Sequence, residues 1–141
     1  MIEKIQQLKA SGQFEQASAL IPYTNFIGLE ISIRSGEMLT VLRKRETNIG
    51  NTQLPAIHGG VVGAALEHAA IIELLYRLEL AAMPRVINVS IDYLRPVKVE
   101  DLWLRGYIVR QGRRIANVRC EAWQESRERL VAASHAHFKL S

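Results

Sequence analysis

From Gly59 to Ile72 the chain is apolar or small at nearly every position. A helix built from such a segment has no polar face to offer water, so the rest of the protein must enclose it. After Ile72 the pattern turns amphipathic, with Glu73, Arg77 and Glu79 outward, and Pro84 closes the segment. This predicts one long helix over about 59–80. Glu67 and His68 interrupt its apolar part. A carboxylate taken out of water is costly unless it is paired or hydrogen-bonded. Glu67 therefore either pairs with a buried arginine or has chemistry to do. His68 either hydrogen-bonds a strand backbone or joins that chemistry.

The flanking segments define what encloses the helix. Residues 2–10 and 13–21 read as two short helical pieces parted by Ser11-Gly12, with Pro22 ending the second. Gly28–Arg34 and Glu37–Arg43 read as strands joined by a tight turn at Ser35-Gly36. Residues 44–57 form a polar loop. Beyond the helix, Ile87, Val89, Ile91 and Tyr93 alternate with Asn88, Ser90 and Asp92. Residues 102–109 carry large apolar side chains on both faces, Ala116, Val118, Cys120 and Ala122 alternate with polar residues, and 130–138 is a last strand. Four consecutive strands with short connections imply an antiparallel sheet. The expectation is an α+β chain forming a single domain over 1–141, with 1–21 as an N-terminal helical extension and a long central helix wrapped by a curved antiparallel sheet of about six strands. Trp103, Tyr107 and Val109 would face away from the helix, which implies at least a dimer.

The 141 residues suit one domain. A net charge of +4 is mild, and no aromatic residues interleave with the basic clusters as a single-strand nucleic-acid binder requires. No nucleic-acid partner is expected, and the first 21 residues are too short for an appended DNA-binding segment. No run reads as a membrane span and the N-terminus lacks a signal-peptide pattern, so a cytoplasmic protein without a membrane partner is expected. The single Cys120 excludes an intramolecular disulfide and a cysteine-rich metal site; it reads as an inward strand residue. Too few ligands accompany His135 and His137 for a metal site. Basic clusters at Arg43-Lys44-Arg45, Arg95 to Lys98 and Arg110 to Arg114 are either solvated surface or a patch for an anionic ligand such as a phosphorylated cofactor.

His58-Gly59-Gly60 stands where the long helix begins. A helix N-terminus offers unpaired N–H groups and partial positive charge, and two glycines let a substrate approach the backbone. A carbonyl oxygen held there has its developing charge stabilised, which suits acyl transfer. Gly pairs also occur in many loops, so the motif alone decides little. Glu67 lies about 11 Å further along the axis, too far to serve a carbonyl held at the start of its own helix. If Gly59 and Glu67 share a site, two chains must build it.

The motifs occur in an informative order: Gly28-Leu-Glu30, Thr47-Asn48-Ile49-Gly50, His58-Gly-Gly60 with an acid nine positions on, Ile91-Asp-Tyr-Leu-Arg-Pro96, Val109-Arg-Gln-Gly-Arg-Arg114 and Leu130-Val-Ala-Ala133. Over about residues 20–140 this resembles the hotdog-fold acyl-CoA thioesterases of the phenylacetate-degradation, PaaI-like type. The resemblance implies a homodimer or a dimer of dimers. It implies Glu67 as nucleophile or general base, the Gly59 N–H as the group binding the thioester oxygen, and His58 shaping that turn. Asn48 would help place water or the carboxylate. Gly60, Asn88 and Arg95 would border the substrate, and Arg113 and Arg114 would meet the phosphates of coenzyme A. Coenzyme A enters as part of the substrate, with no metal or organic cofactor.

Three features depart from the family pattern. The acid is Glu where Asp is common. The loop before His58 is longer, which makes Asn51 and Gln53 alternatives to Asn48. Val86 stands where many members carry a hydroxyl residue, with Asn88 and Ser90 close by. The expected activity is acyl-CoA thioester hydrolysis at a site between two subunits. The rivals are a non-catalytic acyl-CoA-binding or regulatory hotdog protein, which predicts binding without turnover, and a hydroxyacyl-thioester dehydratase, which His-Gly-Gly at the helix start disfavours.

Overall fold

The apolar segment does form the helix about which the other elements are arranged. The computed structural model describes all residues, 1–141. In chain order the elements are α1 (Ile2–Ala10), a 3-10 segment (Phe14–Leu20), α2 (Pro22–Ile27), β1 (Leu29–Arg34), β2 (Glu37–Leu42), a 3-10 turn (Glu46–Asn48), β3 (Ile49–Asn51), β4 (Ala56–Ile57), α3 (Gly59–Arg77), β5 (Arg85–Tyr93), β6 (Leu102–Gln111), β7 (Ile115–Trp123) and β8 (Leu130–Lys139). Six strands form one antiparallel sheet in the order β1-β2-β6-β7-β8-β5, and β3 pairs only with β4.

The sheet face toward α3 is built from small and medium residues. Leu102, Leu104 and Gly106 of β6, Ala116, Val118, Cys120 and Ala122 of β7, and Ala132, Ser134, Ala136 and Phe138 of β8 are all buried. Their alternation along each strand is the period-2 pattern expected of β7. The helix packs closely on Gly106: a Cβ there would lie 2.9 Å from the Glu73 Cβ and 3.3 Å from the Ala69 carbonyl oxygen. Cys120 is fully buried, and burial pushes its thiol well above the ordinary range, so it stays protonated.

Several sequence expectations need correction. The second helical piece does end before Pro22, at Leu20, but Pro22 also opens a further helix; it sits in the first turn of α2, where a missing N–H costs nothing. Gly28, at φ +86, closes α2 and releases the chain into β1. The polar loop at 44–57 contains a 3-10 turn and a short hairpin, because Ile49 and Ile57 pair across it. Helix α3 ends at Arg77, and Leu78 is already extended. Glu73 is buried, with its carboxylate 2.6 Å from Arg105 Nη1 and 2.7 Å from Arg77 Nε. The amphipathic pattern had placed it outward; a strand-borne arginine reaching the helix is invisible to periodicity. By length and composition α3 would also pass for a membrane span, contrary to the expectation that no run would, but here much of it is packed inside the sheet.

The N-terminal extension docks on the far end of α3. Lys9 Nζ donates to the carbonyls of Leu75 (3.2 Å) and Leu78 (2.9 Å), and Gln6 Nε2 donates to Leu80 (2.6 Å). A lysine on the last carbonyls of a helix satisfies orphan acceptors and suits the negative dipole end.

The outer face of the sheet is less bare than expected. Guanidinium groups of Arg43, Arg105 and Arg127 stack over Trp103, Tyr107 and Trp123, and only Val109 stands well clear. Arg127 also grips Glu37 and holds its carboxyl below the usual range. A run of uncovered apolar residues lies instead on edge strand β5, where Val86, Ile87, Val89 and Tyr93 are all exposed.

Candidate active site

The start of α3 is locked from three sides. The His58 N–H donates to the Asn48 carbonyl (2.8 Å), and the His58 Nδ1 accepts from the Gly60 N–H (2.9 Å), a side-chain N-cap. Gly50 lies against His58 so closely that a Cβ there would be 2.6 Å from the His58 Cα. From β5, the Tyr93 hydroxyl donates to the Gly59 carbonyl (2.7 Å). Each lock uses a group other than the Gly59 N–H. That donor has no acceptor in the chain and is exposed. It opens into a cleft of about 300 Å³ whose apolar lining includes Ile57, Val62, Tyr93 and Leu94, with Arg95 at its edge.

Along α3, the residues left open on one side are Gly60, Gly63, Ala64, Glu67 and His68, while Val62, Ala65, Leu66, Ala69 and Ala70 are buried. Spacings of three and four place the open residues on one stripe. Glu67 is half-buried and, unlike Glu73, has no lysine or arginine within ion-pair distance in its own chain. The pairing explanation for a carboxylate in this helix thus applies to Glu73 and leaves Glu67 unexplained by structure alone. His68 is mostly buried beside the Tyr23 ring, with centroids 6.1 Å apart, and its Nδ1 is buried without a partner. Burial pushes its imidazole below the usual value, while the neighbouring Glu67 carboxylate pulls the other way.

The other residues singled out from sequence fall in different places. Asn48 is buried, and its Nδ2 donates to the Ile27 carbonyl (2.8 Å), so its side chain ties the loop to the end of α2. Asn51 and Gln53 are exposed at the hairpin tip, where Asn51 Oδ1 accepts from the Gln53 N–H (3.0 Å). Asn88 does not border the helix start in its own chain. It faces away from α3, opposite His137, and its Oδ1 lies 2.9 Å from His137 Nδ1. Ser90 shares that outer face, opposite His135. Arg95 lines the cleft, with Nη1 donating to the Leu130 carbonyl. Arg113 and Arg114 are exposed in the β6–β7 turn, at the end of the sheet where Arg85 and Ile115 both pair with Lys139. Gly59 contacts Tyr93, eight residues along β5 from Arg85, which is about 26 Å of strand. Within one chain the two arginines cannot meet a group held at Gly59.

Two residues escaped the sequence reading. Tyr93 was legible as an alternating strand position within the Ile91–Pro96 motif, with no role at the helix start, and Arg105 only as part of an apolar strand.

Residues 54–131 match the family model of the thioesterase superfamily. The medium/long-chain acyl-CoA thioesterase YigI of Escherichia coli (strain K12) is 28% identical over a 129-residue alignment that covers 81% of each chain. Among solved structures, a protein from Chromobacterium violaceum aligns at 31% identity with a TM-score of 0.80, over 99% of this chain and 97% of that one. A variant of the phenylacetic acid degradation protein PaaI from Thermus thermophilus aligns at 22% identity with a TM-score of 0.69, over 86% of this chain and 100% of that one, a likeness that speaks to the fold. The family match and the arrangement of sheet and helix agree: this chain belongs to the thioesterase superfamily and has the hotdog fold.

Proposed function

We propose that the chain hydrolyses an acyl-CoA thioester at a site completed by a second copy of itself. The observation that carries this is the pair of unsatisfied groups on α3, the free Gly59 N–H at its start and the unpaired Glu67 carboxylate eight residues on. Halfway between them stands Gly63. A Cβ on Gly63 would lie 2.9 Å from Ile91 Cδ1, so this point of the helix rests on the later part of β5. Two copies paired antiparallel through their β5 edges, about an axis near Ile91, would set their α3 helices side by side and antiparallel. Gly59 of each would then lie beside Glu67 of the other, and Gly60, Gly63 and Ala64 would let the helices approach. The same pairing would cover Val89 and Tyr93 and satisfy an open sheet edge.

In this reading the thioester oxygen accepts from the Gly59 N–H, where the helix end stabilises the charge that develops on it. The Glu67 carboxylate of the other copy attacks the carbonyl carbon or draws a proton from a water that does. The C–S bond breaks and coenzyme A leaves as thiolate, which needs no strong acid to assist it. Tyr93, His58 and Asn48 are positioning residues that hold the helix start, and the Tyr93 ring also lines the cleft. The mostly apolar lining of the cleft favours an apolar acyl group, in line with the substrates named for the Escherichia coli relative.

The test is thiol release from a panel of acyl-CoA thioesters of graded chain length and aromatic character, comparing wild type with Glu67→Gln. Turnover of some member by wild type and its loss in the variant supports the reading. Acyl-CoA binding without thiol release would favour a binding module, and a fully active Glu67→Gln would refute the mechanism.

A further inference from the structure

The cleft at Gly59 is lined in part by Arg95 and Pro96. The same two residues form a wall of a second depression, of about 260 Å³, whose other lining includes Lys98, Gln124, Glu125 and Arg129. Its walls come from the segment leaving β5 and from the turn between β7 and β8, and they are held together. Gln124 clasps the backbone of Lys98, with Oε1 accepting from the Lys98 N–H (3.1 Å) and Nε2 donating to the Lys98 carbonyl (2.8 Å). Arg95 is fixed on the Leu130 carbonyl.

Three cations and one carboxylate line this depression. The carboxylate, Glu125, is taken up by Lys98 at 3.0 Å. The Arg129 guanidinium has neither an ion pair nor a hydrogen bond in the chain, although its backbone N–H fixes the turn on the Ser126 carbonyl (3.1 Å). A clasped hairpin thus presents an uncommitted guanidinium beside two further cations, one rim away from the free N–H of Gly59. Planar guanidinium groups suit phosphate oxygens, and clustered cations concentrate anions.

We propose that this depression binds the phosphate groups of the coenzyme A portion of the substrate, with Arg129 and Lys98 as the principal cations, in the same chain that supplies the Gly59 N–H. This rests on the acyl-CoA reading above and deepens it. The pantetheine arm would cross the Arg95–Pro96 rim, with the thioester on one side and the phosphates on the other. The assignment differs from the one the Gly-Arg-Arg turn suggested, since Arg113 and Arg114 of the same chain stand at the opposite end of the sheet.

Adenosine 3′,5′-bisphosphate, the nucleotide end of coenzyme A without its thioester, is the probe. Titrated calorimetrically into wild type, it is expected to bind with an affinity that falls steeply with salt. Lys98→Ala combined with Arg129→Ala is expected to weaken it at least tenfold, whereas Arg113→Ala with Arg114→Ala leaves it within about twofold. In turnover, the first pair raises KM for acyl-CoA without changing kcat/KM for the N-acetylcysteamine thioester of the same acid. All four side chains are exposed, so the variants keep their fold. No binding by wild type, undiminished binding by the Lys98/Arg129 variant, or loss confined to the Arg113/Arg114 variant would overturn the assignment. Bisphosphate binding is read without turnover, so a wild type that binds it but hydrolyses nothing refutes the hydrolase reading and leaves this subsite standing.

Discussion

The Glu73 carboxylate lies 2.6 Å from Arg105 Nη1 across the seam between α3 and β6, with 3% of the Glu73 side chain and 14% of the Arg105 side chain exposed. Removing one partner of a buried pair strands the other charge, at a cost of about 3–5 kcal/mol. Glu73→Ala is expected to lose stability of that order in chemical denaturation. Glu67→Gln is expected to change it by less than about 1 kcal/mol, because Glu67 has no partner in the chain to strand. Equal losses would mean that the two carboxylates of α3 do not divide into a structural and a functional one.

Two glycines beside His58 separate rigid from soft constraints on the helix start. At Gly50 an added Cβ meets backbone, the His58 Cα at 2.6 Å; at Gly60 it meets only the His58 ring, at 3.0 Å. Gly50→Ala must therefore shift the helix N-terminus and is expected to cost both stability and turnover, by about 1–3 kcal/mol in unfolding free energy. Gly60→Ala is expected to be the milder of the two in thermal melts, since a side chain can give way.

Gly59→Pro isolates the backbone donor. Proline is favoured at the first position of a helix, where it replaces the N–H by a ring methylene. His58, at φ −55 and ψ 130, already has a conformation that can precede proline, and a Cβ at residue 59 would meet Tyr93 at an ordinary 3.6 Å. The variant is expected to fold normally and lose about 10²–10³-fold in kcat, the usual effect of deleting one oxyanion donor. Wild-type kcat in a folded Gly59→Pro would remove that N–H from the mechanism.

His68 gives the fold a pH dependence of definite sign. Burial holds its imidazole below 6.5 in the folded chain, so around and below that pH the unfolded state binds more protons. Stability is expected to fall as pH drops below about 6.5, before most carboxylates titrate. His68→Phe is expected to flatten that part of the profile. A wild-type curve already flat between about pH 7 and 5 would contradict the burial argument.

The fold was legible because its main determinant is local. The apolar run announces an enclosed helix, and alternation at Ala116 to Ala122 announces a strand against it. The hairpin at Ser35-Gly36 was readable because both residues take positive φ, 53° and 77°, as a two-residue turn between twisted strands requires. What periodicity cannot carry is which strand residue reaches which helix residue. Arg105 turned Glu73 inward, Tyr93 closed on Gly59, and Asn88 fell on the outer face, all through sheet register. The Gly59 and Glu67 pattern was visible as a spacing too long for one chain. The basic hairpin at Lys98 and Arg129 was not, because its members are 31 positions apart and meet only through the Gln124 clasp.

The most direct test of the shared site is complementation between two inactive variants. Glu67→Gln and Gly59→Pro chains are co-expressed with different tags, and the mixed oligomer is isolated by sequential affinity steps. If Gly59 of one copy works with Glu67 of the other, each mixed dimer regains one intact site, and thiol release returns to about half the wild-type rate per dimer. If both groups act within one chain, every site carries a defect and the mixed species stays as inactive as its parents, which would contradict the account.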